Sequence, residues 1–224
     1  MKILLSTLLM HLTVVIHQFG LHSTCSNFNR TNQTELVNCT ANFTDLLFVM
    51  DTSTTLTKNE FDSTKANIAN TLRKFNLSNE NINIAVMAYS DRVRLAIPFT
   101  STPTISADSL INTINLFVQD SDRGLLAKAI HYSQLFILNS LKMRPIMNTK
   151  KIVVVFTHGN YDHNEMKVVR KEANLLKVSS DLILVEVGKQ FKRNKFKSVP
   201  TCPEYLLNFD QVYDVIKKVK ASGC

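Results

Sequence analysis

Two kinds of apolar pattern alternate along the chain. Residues 45–50 (DLLFVM), 81–89 (NINIAVMAY), 151–156 (KIVVVF) and 181–187 (DLILVEV) are short and apolar on successive positions. Such runs predict strands buried on both faces, as in a parallel sheet. Residues 92–99 (RVRLAIPF) instead alternate, with Val93, Leu95 and Ile97 on one face, and predict an edge strand close enough to its predecessor for a hairpin. Between these runs the period becomes helical. Residues 59–75 place Phe61, Ala66, Ile68, Ala69, Leu72 and Phe75 inward, and 106–117 do the same with Leu110, Ile111, Ile114 and Phe117. Further helices are predicted over 124–141, 162–178 and 209–219, and a short last strand over 204–207. Strands alternating with helices in this order mean a doubly wound α/β domain. Its sheet is mostly parallel with one antiparallel edge strand, and helices cover both faces.

The first residues stand outside this pattern. Lys2 precedes an apolar run over 3–16, followed by a more polar stretch. This predicts a signal peptide over residues 1–24, with an uncleaved anchor as the competing reading. Asn29, Asn32, Asn38, Asn42 and Asn76 each begin an Asn-X-Ser/Thr sequon. Four of them crowd into the segment 25–44, which is predicted to be exposed and glycosylated, ahead of a domain over 45–224. Cys25, Cys39, Cys202 and Cys224 all follow the signal, and an even number suits two disulfides in an oxidising compartment. The expected winding gathers all four at the end of the sheet away from Asp51 and favours Cys39 with Cys224 and Cys25 with Cys202. Pairing of Cys25 with Cys39 is the chief competitor. Gly and Pro number only five each among 224 residues, which excludes a linker-rich or disordered chain.

Asp51-Thr52-Ser53-Thr54-Thr55 follows the first predicted strand. In an open parallel sheet, ligands bind beyond the carboxyl ends of the strands. A carboxylate and alternate hydroxyls there offer hard oxygen ligands suited to Mg²⁺ or Mn²⁺. With the segments FVMDTSTT, INIAVMAYSDRVRLAIPF, KIVVVFTHG, LILVEVG and VPTCPEYLLNFDQVYDVIKKV, the chain from 45 to 219 resembles the von Willebrand factor A domain family in order and spacing.

That resemblance implies a secreted, non-catalytic binding or adhesion module with its ligand at the carboxyl end of the sheet near Asp51 and Ser53. It also implies a metal-ion-dependent adhesion site built from three loops. Asp51, Ser53 and Thr55 match the first loop. The second, residues 120–127 (DSDRGLLA), carries Gly124 where the family has Thr, with Ser121 or Asp122 as stand-ins only if the loop is shifted. The third reads Thr157-His158-Gly159 where the family has Thr-Asp-Gly. Imidazole is a poor substitute for a carboxylate toward Mg²⁺. The expectation is therefore a degenerate site with weak Mg²⁺ or Mn²⁺ binding at most. Zn²⁺ through His158 and His163 is weaker still. Asp122 and His158 are expected in ligand-face loops, His158 as a surface histidine at a strand end, and Asp162 as the cap of the next helix.

The formal net charge is +8. Residues 189–197 (KQFKRNKFK) concentrate part of it on Lys189, Lys192, Arg193, Lys195 and Lys197. This stretch reads either as a patch for glycosaminoglycans or other carbohydrates, or as a solvated surface whose Phe191 and Phe196 pack inward. The second reading takes precedence. An enzyme is disfavoured: no Gly-X-Ser-X-Gly elbow, phosphate loop or dinucleotide fingerprint follows a strand. An extracellular protein or glycan partner is expected, with no nucleic acid and no transmembrane segment in the mature chain.

Overall fold

The computed structural model describes residues 43–77, 81–99, 106–120, 122–139 and 149–221. The predicted signal, Asn29, Asn32, Asn38, Asn42, Cys25, Cys39, Cys224 and Ser121 lie outside the described residues. Within them the chain runs β1 (Phe43–Asp51), α1 (Lys58–Lys74), β2 (Ile82–Tyr89), β3 (Val93–Ile97), α2 (Ala107–Asn115), α3 (Leu126–Asn139), β4 (Thr149–Thr157), α4 (His163–Leu176), β5 (Asp181–Glu186), α5 (Arg193–Phe196), β6 (Leu206–Leu207) and α6 (Val212–Ala221). The strands form one sheet in the order β3-β2-β1-β4-β5-β6. All neighbours are parallel except β2 and β3, which form the hairpin.

Strand alternation divides the core into two layers. Leu46, Phe48, Met50, Val86, Val154 and Ile183 face α1, α2 and α6. Leu47, Val49, Met87, Val153, Val155 and Leu184 face α3, α4 and α5. Every residue of β1 after Phe43 is buried, which is why its sequence shows no alternation. Helix α1 begins at a capping box, in which Thr57 accepts from the Glu60 amide and Glu60 accepts from that of Thr57. Asp162 caps α4, as expected, by accepting from the Glu165 amide at 2.9 Å.

Two inward assignments are corrected. Ala66 is exposed and Thr64 is buried in its place, its hydroxyl donating to the Glu60 carbonyl at 2.9 Å. Leu95 is 43% exposed, because β3 is an outer strand and its register to β2 shifts at Val86 and Met87. The helix predicted from 124 starts at Leu126, since Gly124 belongs to a loop pressed against Asp51. The last strand shortens to two residues, because Pro203 opens a turn of 3-10 helix over Pro203–Tyr205.

Candidate functional site

The parallel strands β1, β2 and β4 deliver Asp51, Tyr89 and Thr157 to one edge of the sheet, where Asp51 and Tyr89 are register partners. Asp51 is fully buried. Its Oδ1 accepts from the Ser53 amide at 2.9 Å. Its Oδ2 accepts from the Tyr89 hydroxyl at 3.3 Å and lies 2.7 Å from His158 Nδ1. A carboxylate oxygen at that distance assigns the ring proton to Nδ1. The expectation of a surface histidine is corrected: His158 is only 5% exposed, turned inward to Asp51, and packs against Tyr161 with ring centroids 4.5 Å apart.

Tyr89 and Tyr161 complete a closed polar cluster. The Tyr161 hydroxyl is 2.9 Å from Thr157 Oγ1 and 3.4 Å from His158 Nδ1, and the Tyr89 hydroxyl also donates to the Phe156 carbonyl at 3.2 Å. Burial first, and the Asp51 charge second, push both phenols well above their ordinary range. Both phenols therefore stay protonated and uncharged through the physiological range. Neither tyrosine was singled out by the sequence reasoning. The available signals were that Tyr89 ends β2 beside Asp51 and that Tyr161 follows His158 by three positions.

The first loop is internally satisfied. Ser53 Oγ donates to Thr55 Oγ1 at 3.0 Å, and Gln119 Nε2 holds the Ser53 and Leu56 carbonyls at 2.9 and 2.6 Å. Thr52 Oγ1 lies 2.6 Å from Asp120 Oδ2, and the Asp120 carboxylate receives Arg94 on both oxygens at 2.8 and 2.7 Å. The second loop is thereby tied to β1 and β3. On its other side Arg123 pairs with Glu165 at the start of α4. Between these ties Gly124 lies directly over the site. A Cβ there would stand 2.9 Å from Ser53 Oγ and 3.1 Å from both Asp51 carboxylate oxygens.

These residues do not fit a hard divalent cation. Such an ion requires several free oxygens around one point. Asp51 Oδ2 is taken by His158, and Gly124 brings backbone into the remaining space. Among the described residues no group of three or more His, Cys, Asp or Glu side chains is placed to hold a metal. Asp122 is exposed and contributes its carbonyl to the Thr54 amide at 3.2 Å, while His163 is exposed at the start of α4.

The basic stretch 189–197 divides. Phe196 is buried and stacks near Phe191 at 4.6 Å, and the Phe191 ring roofs Gly159, whose φ of 70° and lack of Cβ permit that approach. Lys195 donates to the Tyr161 carbonyl at 3.0 Å, and Arg193 donates to the Leu206 carbonyl and lies 3.7 Å from Glu186. Lys189, Lys192 and Lys197 are exposed. Cys202 is disulfide-bonded, and the other three cysteines lie outside the described residues. It sits beside the start of β5, since Thr201 donates its amide to the Leu182 carbonyl at 2.9 Å.

Comparison with known proteins matches residues 45–219 to the von Willebrand factor type A domain. The chain belongs to the von Willebrand factor type A domain family. It is 26% identical to bovine vitrin over 212 residues, covering 92% of this chain and 31% of vitrin. It is 24% identical to the collagen alpha-1(XXI) chain of Xenopus laevis over 159 residues, covering 71% of this chain and 16% of that one. The chain thus spans a third or less of these relatives. A structure of proximal thread matrix protein 1 from the mussel byssus shares the fold, with TM-score 0.63, 19% identity, and coverage of 82% of this chain and 47% of that one. Manganese-loaded TRAP protein of Plasmodium vivax does so with TM-score 0.64, 14% identity, and coverage of 81% and 74%. A second structure of the mussel protein has a zinc-occupied metal-ion-dependent adhesion motif. Metal-loaded proteins therefore occur on this fold. No helix among the described residues is long and apolar enough to cross a membrane.

Proposed function

We propose that the protein is a secreted, N-glycosylated von Willebrand factor A-type module. It binds an extracellular protein or glycan at the carboxyl end of the sheet, catalyses no reaction and needs no divalent cation. Residues 1–24 act as the signal, 25–44 as a glycosylated lead segment, and 45–224 as the binding domain. The observation carrying the cation-independent reading is His158 Nδ1 on Asp51 Oδ2 at 2.7 Å, an internal donor where a metal's ligand shell would form. Kinship with a collagen chain and a byssal matrix fold supports an extracellular matrix setting.

A pull-down from matrix extract with the mature domain, run in chelator and then in Mn²⁺, tests this reading. Equal capture in both is expected. Capture lost in chelator and restored by Mn²⁺ would overturn it. Titration calorimetry should show no Mg²⁺ or Mn²⁺ binding tighter than millimolar.

A further inference from the structure

Helices α3 and α4 pack side by side, and both run back against the parallel strands, so they point the same way. Two links fix their register: Arg123, just ahead of α3, pairs with Glu165, and His131 Nδ1 lies 2.9 Å from Glu172 Oε2. Along the seam runs an open groove of about 470 Å³. Leu125, Ala127 and His131 form one wall, and Glu165, Val168 and Glu172 the other. Among the described residues eight large apolar side chains are exposed. Five of them, Tyr132, Leu135, Val168, Leu175 and Val178, belong to α3, α4 and the turn after α4. Such clustering marks a surface that is covered in use. No sequon lies on α3 or α4, and exposed Asn76 follows α1, which covers the other face of the sheet.

The charges of α4 are divided about this surface. Val168 and Leu175, seven positions apart, form an apolar line along the helix. Glu165 and Glu172 flank it on the α3 side, as their contacts with Arg123 and His131 show. Lys167 and Lys171 flank it on the other side; both are exposed, with no hydrogen-bond or ion-pair partner among the described residues. We propose that this face pairs with a second copy of the chain, about a two-fold axis parallel to α4. Helix α4 of each copy then rests in the α3–α4 groove of the other. Val168 and Leu175 meet their own counterparts, and the lysine flank of each copy lies over the acidic flank of the other. Antiparallel pairing would set lysine against lysine and acid against acid, so charge selects the parallel arrangement. An anionic lipid surface fits less well, because Glu165 and Glu172 line the same face. The axis also turns the Asp51 edges of both copies the same way, so the pair offers two ligand faces side by side.

Sedimentation equilibrium of the intact glycoprotein up to about 100 μM is the test, a range that captures micromolar association. A monomer–dimer equilibrium is expected. Leu175→Glu should weaken it by about tenfold or more, by placing a carboxylate in the apolar line. Lys171→Glu and Glu172→Lys should each weaken self-association to a similar degree. Mixed in equal amounts, these two variants should pair with near-parental affinity, because each then meets opposite charge on both flanks. All three substitutions lie at the surface of α4, and melting temperatures near the parent's separate loss of pairing from loss of folding. A parent that stays monomeric throughout would overturn the proposal. So would a Leu175→Glu dimer as tight as the parent's, or a mixture of Lys171→Glu and Glu172→Lys that fails to pair. Parent monomer captured by phosphatidylserine-containing vesicles, with capture lost in Leu175→Glu, would assign the face to lipid instead.

Discussion

His158 Nδ1 and Asp51 Oδ2 lie 2.7 Å apart across 107 positions of sequence, and both side chains are buried. The pair joins the end of β1 to the end of β4 and gives the buried carboxylate its closest partner. Removing one member of such a pair leaves the other without its partner in a low-dielectric setting, which usually exceeds the value of the contact itself. His158→Ala should therefore destabilise the domain by about 2–3 kcal/mol in urea unfolding. Thr55→Ala, which removes the acceptor of the Ser53 hydroxyl on an exposed residue of the same loop, should cost about 1 kcal/mol. Equal effects of the two would show that Asp51 does not depend on the imidazole.

Gly124 offers a second test of the closed site. Its φ is not in the left-handed region, so alanine is compatible with the backbone there. The obstacle is contact: the added Cβ meets Ser53 Oγ at 2.9 Å and both Asp51 oxygens at 3.1 Å. The second loop is held from both sides by Asp120 and Arg123 and has little room to retreat. Gly124→Ala should cost about 1–3 kcal/mol, as overpacking does elsewhere. A melting temperature equal to the parent's would mean that the loop moves freely.

Much of this was legible in the sequence. The continuous apolar runs of β1, β2, β4 and β5 announced a two-sided sheet, because burial on both faces leaves no polar position to break the run. Asp51, Ser53 and the substitutions at Gly124 and His158 could be read from motif spacing. The errors fell on Ala66, where the buried Thr64 breaks the apolar pattern of α1, and at the outer strand of the sheet. Leu95 has an inward pattern, yet a register shift and an outer position leave it exposed, and neither is encoded in periodicity. The Asp51–His158 contact was also beyond reach, since a histidine at a strand end looks the same whether it faces solvent or a carboxylate. The basic stretch was legible in part: Phe196 packs inward, as the preferred reading has it, but the carbonyl partners of Arg193 and Lys195, from Leu206 and Tyr161, leave no mark in the sequence.

Asp120 and Arg94 should differ in consequence although they form one ion pair. Arg94 is about half exposed, and pairs of that kind contribute little in water. Asp120 also accepts from Thr52 Oγ1 at 2.6 Å, and its amide donates to the Thr52 carbonyl at the same distance. Arg94→Ala should lower stability by less than about 1 kcal/mol. Asp120→Ala should cost about 1–2 kcal/mol, because it also unties Thr52 beside the site. Chemical denaturation of both variants checks the order. An inverted order would place the importance in the exposed guanidinium.

Glu165 should make stability fall as pH rises above the carboxylate range. Its Oε2 meets Arg123, yet Oε1 is buried without a hydrogen-bond partner. Burial raises its pKa from 4.5, and the Arg123 charge only partly offsets that. Between 4.5 and the raised folded value, the native state holds more protons than the unfolded chain. Stability therefore declines as pH climbs through that window. Glu165→Gln keeps the shape and removes the titration, so its stability should fall less than the parent's between about pH 4 and pH 7. Arg123→Ala should act in the opposite sense, raising the Glu165 pKa further and widening the decline. Urea midpoints across that range decide the matter: parallel curves for the parent and Glu165→Gln would show that the buried carboxylate is not perturbed.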